Sequence, residues 1–256
     1  MSTTQRNPIA LITGGSRGLG RSMALHLADR GVDVILTFKQ NEKEALEVVK
    51  QVEAKGRKAV ALRLDVADSR SFGAFAETVK AELGRRFQAE RFDSLVNNAG
   101  SALYAPFTET TEAQLDEAYA VHFKAPYLLS QKLLPLIADG GRILNVSSGL
   151  ARFSLPGSSG YGAMKGAVEV LTRYMARELA VRKITVNVIA PGAIATDFGG
   201  GHVRDNPELS KRVAEMTALG RVGEADDIGR AVAMLLSTDS GWITGQRIEA
   251  SGGMIL

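Results

Sequence analysis

Short apolar runs alternate along the chain with longer amphipathic stretches. The runs IALIT (9–13), DVILTF (33–38), AVALRL (59–64), SLVNN (94–98), RILNVS (142–147), TVNVIA (185–190) and RIEA (247–250) read as strands. Most are apolar throughout, as expected of strands covered on both faces. The intervening stretches 18–29, 42–54, 69–83, 113–137 and 161–180 read as helices. Strand–helix repetition over this length predicts an α/β, doubly wound parallel sheet of about seven strands, with right-handed crossovers. Ligands of such sheets bind at the carboxyl ends of the strands. No linker, repeat or low-complexity tract divides the 256 residues, so a single domain over 1–256 is expected.

Composition narrows the chemistry. There is no cysteine, which removes disulfides and thiolate chemistry. His26, His122 and His202 are far apart and in no metal-ligand spacing, so no metal is expected. No apolar run approaches the about 18 residues of a membrane span, and the start, MSTTQRNP, has no signal-peptide core. A cytoplasmic setting is expected. The net charge of +3 is spread along the chain, which favours anionic small ligands and argues against nucleic acid.

Three motifs carry chemistry. The first strand runs into TGGSRGLG, where Gly14, Gly18 and Gly20 permit a tight turn and the next helix aims free N–H groups at a phosphate. Downstream lie NNAG (97–100) and, after a loop rich in Gly, Ser and Pro, Tyr161 and Lys165 in a Y-x-x-x-K spacing. A helical turn brings that phenol and ammonium to one face, where the ammonium would favour the ionised phenol. Taken alone the pair reads equally as surface decoration.

The T-G-x-x-x-G-x-G turn, NNAG, Y-x-x-x-K, PGAIAT (191–196) and the stretch 226–253 occur in order over nearly the whole chain. In this the sequence resembles the short-chain dehydrogenases/reductases, most of all their 3-oxoacyl-carrier-protein-reductase-like branch. The resemblance implies a Rossmann-type fold and a nicotinamide cofactor. It implies that Gly14, Ser16, Arg17, Gly18, Leu19 and Gly20 form the phosphate turn, and that Asp65 and Val66 contact the adenine. Asn97, Ala99 and Gly100 would line the ribose side; Pro191, Gly192, Ile194 and Thr196 would cap the nicotinamide. Ser148 would hold the substrate oxygen, Tyr161 would give it a proton, and Lys165 would bind the nicotinamide ribose. Ser147 neighbours Ser148, but alternation along a strand points only one of them at the site, and the family spacing selects Ser148.

No carboxylate stands at the end of the second strand, where Thr37, Phe38 and Lys39 occur. Together with Arg17, Lys39 suits the 2′-phosphate of NADP(H); the plain alternative is a solvated lysine. His122, in AVHFKAP, stands where the family carries a catalytic Asn. It could be an acid, a polar substitute or a packed ring. Pro126 has no N–H for the carbonyl of His122, so a bend is expected there. The segment 197–220 should cover the substrate, with Phe153, Leu155, Phe198 and Met216 as apolar walls and Arg152 as either an anion contact or a solvated charge. Gly162, Ala163, Gly166, Ala167 and Val170 form a small-residue helix face, either packed on its own sheet or, as the resemblance implies, shared in a homo-oligomer, a dimer or tetramer.

Three functions are thereby open: NADPH-dependent reduction of a small carbonyl substrate, alcohol oxidation by the same residues, and non-catalytic dinucleotide sensing. The intact Ser148, Tyr161 and Lys165 argue against sensing, and the Tyr–Lys spacing argues against alkene reduction.

Overall fold

The computed structural model describes residues 6–256; the polar start of the chain lies outside the described residues. Seven strands, β1 (Ile9–Ile12), β2 (Asp33–Phe38), β3 (Ala59–Arg63), β4 (Phe92–Asn97), β5 (Ile137–Val146), β6 (Thr185–Pro191) and β7 (Arg247–Ala250), form one sheet in the order β3-β2-β1-β4-β5-β6-β7. Every pairing is parallel. The order reverses between β1 and β4, and at that point the chain leaves the two carboxyl ends in opposite directions, the place where such sheets open a crevice.

Helices cover both faces, which is why β1 and β2 are buried at every position. On one side α1 (Gly18–Asp29), α2 (Glu42–Ala54) and α9 (Ala225–Leu235) pack Met23, Leu27, Val48, Val52, Ile228 and Val232 onto the sheet. On the other, α3 (Phe72–Glu82), α5 (Ala125–Leu133) and α6 (Ser159–Leu179) contribute Phe72, Val79, Leu129, Leu133 and Ala176. The exposed α4 (Glu112–Tyr119) leads into α5, and the short α7 (His202–Asp205) and α8 (Pro207–Glu215) lie between β6 and α9 in the chain. No helix among the described residues is long and apolar enough to cross a membrane.

The helix expected over 113–137 is divided. A capping box of Thr111 and Gln114 starts α4. A π-type turn then occupies Ala120–Lys124, closed by the Ala125 N–H on the Ala120 carbonyl. Pro126 explains the break, because it offers no N–H to the carbonyl four residues back. The next strand starts early, at Ile137, which pairs with Phe92 before the register shifts.

Candidate active site

The crevice is a cleft of about 490 Å³ bounded by the carboxyl ends of β1, β2, β3, β4, β5 and β6. Its floor on one side is the β1–α1 turn. Gly14 sits at φ 67°, and a Cβ there would stand 3.0 Å from the Ala99 backbone. Gly20 packs so close to the Gly14 carbonyl that a side chain on Gly20 would force the turn apart. Helix α1 has no side-chain cap and no acid in its first turn. Its N–H groups and positive dipole end therefore remain free for an anion. Ser16, Arg17, Gly18 and Leu19 complete this wall.

The ends of β1 and β4 are locked together. Thr13 Oγ1 accepts from the Asn98 and Ala99 N–H groups at 2.9 Å each, and Asn98 Nδ2 donates to the Thr13 and Gly14 carbonyls at 2.8 and 3.1 Å. Asn97 differs from its expected place on the ribose side. Its side chain points away from the cleft and donates to Ser130 Oγ at 3.0 Å and Asn145 Oδ1 at 2.8 Å. Alternation along β4 sends Asn97 into the core and leaves Asn98, Ala99 and Gly100 on the cleft. Asn98 is the residue that sequence reading missed, although NNAG offers both.

The catalytic candidates converge where β5 ends against α6. Ser147 turns inward, its hydroxyl donating to Glu169 Oε1 at 2.7 Å. Ser148 and the Tyr161 phenol both line the cleft, and the Ser148 hydroxyl accepts from the Leu150 N–H at 3.2 Å. Tyr161 keeps a partial opening onto the cleft, but protein encloses most of the ring. Burial raises its pKa, and the nearby Ser148 hydroxyl opposes that rise. Lys165 is 5% exposed, donates from Nζ to the Val146 carbonyl at 2.8 Å and lies 5.4 Å from the Tyr161 ring centroid. Its pKa is lowered to about 7 by burial. The expected lowering of the phenol by the ammonium is thus outweighed: both groups are buried, and burial disfavours the charged form of each. The phenol stays protonated at neutral pH, the state a proton donor needs.

His122 lies in the cleft wall, edge-on to Tyr161 with ring centroids 5.1 Å apart. Its Nε2–H donates to the Ser101 carbonyl at 2.8 Å, tying the π-type turn to the loop after Gly100. Burial first, and then the charge of Lys165, lower its pKa to about 3. Such an imidazole is neutral throughout the working range and cannot serve as its acid. His122→Ala should therefore cost up to about tenfold in turnover, through loosened geometry. The pH–rate profile of the wild type should show no step belonging to His122 near 6.5. A loss as large as that of a Tyr161 variant would reverse this assignment.

Pro191, Gly192, Ile194 and Thr196 line the cleft beyond β6, with Asp65 and Val66 beyond β3. Phe153, Leu155 and Phe198 supply apolar wall as expected, while Met216 does not line the cleft and Met254 does. Arg152 is not free for an anionic substrate. It forms a fork with Glu249 at 2.8 and 2.9 Å and donates to the Met254 and Ile255 carbonyls at 2.7 Å each. Lys39 and Arg17 are also paired, with Asp65 at 2.9 Å and Asp197 at 2.6 Å.

A free helix N-terminus at the switch point, beside a buried Ser–Tyr–Lys group, defines a Rossmann-type oxidoreductase that works on a nucleotide cofactor. Comparison with known proteins agrees. The family model described as "Enoyl-(Acyl carrier protein) reductase" matches residues 14–255. A hydroxynaphthalene reductase-like protein of Metarhizium brunneum is 36% identical, covering 96% of this chain and 94% of its own. A 3-oxoacyl-[acyl-carrier-protein] reductase of Staphylococcus aureus is 36% identical, covering 96% and 98%. The solved angucycline C-6 ketoreductase LanV with bound NADP superposes with a TM-score of 0.92 at 36% identity, covering 97% of this chain and 95% of that one. The chain belongs to the short-chain dehydrogenase/reductase family, in its 3-oxoacyl-carrier-protein-reductase-like branch.

Proposed function

We propose that this chain, as a single domain over residues 1–256, reduces a ketone to an alcohol with NADPH. One observation carries the reading: the same cleft holds an uncapped α1 N-terminus and a protonated phenol beside Ser148. When bound, the nicotinamide supplies the hydride. Ser148 and Tyr161 together grip the carbonyl oxygen. Tyr161 delivers its proton as negative charge grows on that oxygen, and Lys165, as the cation, steadies the phenolate left behind. The residues suit the cofactor: the free N–H groups of α1 would hold its pyrophosphate, Lys165 its ribose, and Arg17 and Lys39, released from Asp197 and Asp65, its 2′-phosphate. The family model's description names enoyl reduction. A hydroxyl and a protonated phenol lining one cleft fit a carbonyl oxygen better than a carbon–carbon double bond.

The substrate side is apolar. Phe153, Leu155, Phe198, Leu150 and Met254 offer flat and aliphatic wall, and Arg152 is spent on Glu249. This favours a cyclic, aromatic-fused ketone, the class suggested by the hydroxynaphthalene reductase-like relative and by LanV. A 3-oxoacyl thioester is the competing class, suggested by the staphylococcal relative. Of the segment 197–220, Asp197 and Phe198 line this side. The test follows NADPH absorbance with bicyclic aryl ketones, quinones, sugars and 3-oxoacyl thioesters side by side. Turnover of thioesters alone would overturn the ring-ketone assignment.

Cofactor choice is open to direct measurement. Each charge-assisted bond from Arg17 or Lys39 to the 2′-phosphate contributes about 1.5–3 kcal/mol, less what is lost from the existing ion pairs. NADPH should be preferred over NADH at least about tenfold in kcat/KM. The Arg17→Ala/Lys39→Ala double variant should lose that preference, and equal use of both cofactors by the wild type would refute it.

The chain also assembles with copies of itself. On α4–α6, Tyr119, Tyr127, Val170 and Tyr174 are exposed, and Gly166 faces open space. Gly162 instead packs on the Leu150 carbonyl of its own chain. Trp242 and Leu256 stand fully or nearly fully exposed at a second place. A dimer through α4–α6, doubled to a tetramer through the C-terminal side, covers both. Sedimentation at micromolar concentration should show no monomer, and Tyr174→Glu should release smaller species; a wild-type monomer would refute the assembly. The cysteine-free sequence suits a reducing, cytoplasmic setting.

A further inference from the structure

The chain between β6 and α9 is pinned on both sides of a glycine-rich stretch; before it, the Ala195 N–H donates to the Gly223 carbonyl at 2.8 Å. The far end is fixed by main-chain bonds to the C-terminal segment. The Ala218 and Leu219 N–H groups donate to the Gly253 and Gly252 carbonyls at 3.2 and 3.1 Å, and the Ile255 N–H donates to the Met216 carbonyl at 3.0 Å. Arg152 grips that same segment through the carbonyls of Met254 and Ile255. The near end carries Asp197, whose carboxylate meets Arg17 of the β1–α1 turn at 2.6 Å, with 60% of the arginine side chain exposed. Phe198 follows, its ring centroid 6.1 Å from that of Tyr161. Gly199, Gly200 and Gly201 come next, all left-handed at φ 62°, 81° and 77°. Three such residues in a row let the backbone swing at little cost. One short stretch thus joins a cation of the cofactor turn to the aromatic wall over the phenol.

We propose that Asp197 is a positioning residue through which recognition of the cofactor's 2′-phosphate reaches the substrate wall. Arg17 exchanges Asp197 for the phosphate, and Phe198 then moves on the Gly199–Gly201 hinge. The inference rests on the NADP(H) reading above. An exposed carboxylate–guanidinium pair is weak, whereas a phosphate monoester brings nearly twice the charge and three acceptor oxygens to the guanidinium fork. The two anions also repel each other, so Asp197 cannot stay beside the phosphate at Arg17. Without the phosphate, as with NADH, the Arg17–Asp197 pair stays closed. Discrimination between the cofactors then extends from affinity to the shape of the substrate wall.

The test needs neither substrate nor turnover. The whole protein is titrated with 2′,5′-ADP and with 5′-AMP, and amide hydrogen exchange is followed over residues 197–203. In the wild type, 2′,5′-ADP should bind more tightly than 5′-AMP and should speed exchange in this stretch, while saturating 5′-AMP leaves it unchanged. Asp197→Asn should exchange fast without any nucleotide and should bind 2′,5′-ADP about two- to fivefold more tightly than the wild type. That gain should vanish in an Arg17→Met background. Tight 2′,5′-ADP binding with no change in exchange would overturn the relay and leave the cofactor reading standing. Equal affinity for the two nucleotides would overturn the cofactor reading, and the relay with it.

Discussion

Tyr161→Phe is expected to lower the rate of carbonyl reduction by about 10²–10⁴, the range for removal of a positioned general acid, and to leave NADPH binding intact. The change is confined to one oxygen. The ring keeps its edge-on contact with His122 and its neighbour Phe198. Phenylalanine fills the same volume, so the fold and the cofactor wall should survive. What is lost is a proton donor that burial holds in its protonated form beside Ser148. Single-turnover kinetics with a ketone substrate, together with a direct titration of NADPH, separate the two effects. A variant with near wild-type turnover would show that another group protonates the product. A variant that loses NADPH affinity in proportion to its rate would show that the phenol acts in binding instead.

The parts of this molecule that were legible in the sequence are those fixed by local pattern. β2, β7, α1 and α2 fall on the residues that periodicity and glycine placement indicate, because a strand buried on both faces must be apolar and a helix must end where its stripe ends. The turn that leads from β1 into α1 was legible for the same reason. Pro126 announced the break between α4 and α5, though not that a π-type turn would absorb it. What stayed hidden depends on partners distant in the chain. No spacing rule pairs Arg17 with Asp197, or sends Arg152 to Glu249 and the last carbonyls of the chain. Asn97 and Asn98 are adjacent and alike, and only the facing of β4 decides which of them reaches the cleft. The behaviour of Tyr161 and Lys165 was misjudged for a related reason. Sequence shows that an ammonium is near a phenol but not how much water both have lost, and here desolvation outweighs their attraction.

That desolvation makes Lys165→Met a revealing substitution: it should abolish most reductase activity while making the fold more stable. Lys165 is 5% exposed and its pKa falls from 10.5 to about 7 because burial penalises the ammonium. A shift of that size corresponds to about 4–5 kcal/mol of destabilisation while the group is charged. Methionine has a similar length and no charge to desolvate. It forfeits the hydrogen bond to the Val146 carbonyl, a loss of about 1–3 kcal/mol. The balance, about 2 kcal/mol, should raise the melting temperature by roughly 4–8 °C. The pH dependence carries the sign. Below about pH 7 the lysine is protonated both folded and unfolded, so the penalty is complete. Between about 7 and 10.5 the unfolded chain binds more protons than the folded one, so wild-type stability rises with pH and the advantage of methionine shrinks. Turnover should move the opposite way. The ammonium is what steadies the phenolate after proton transfer, so wild-type kcat for reduction should fall as pH rises through about 7. Thermal melts of both proteins at pH 6 and pH 9, paired with a wild-type kcat–pH profile, read out every part of this. Equal melting temperatures at pH 6 would mean that the buried lysine carries no charge there, and its role as the cation beside Tyr161 would fall with that result.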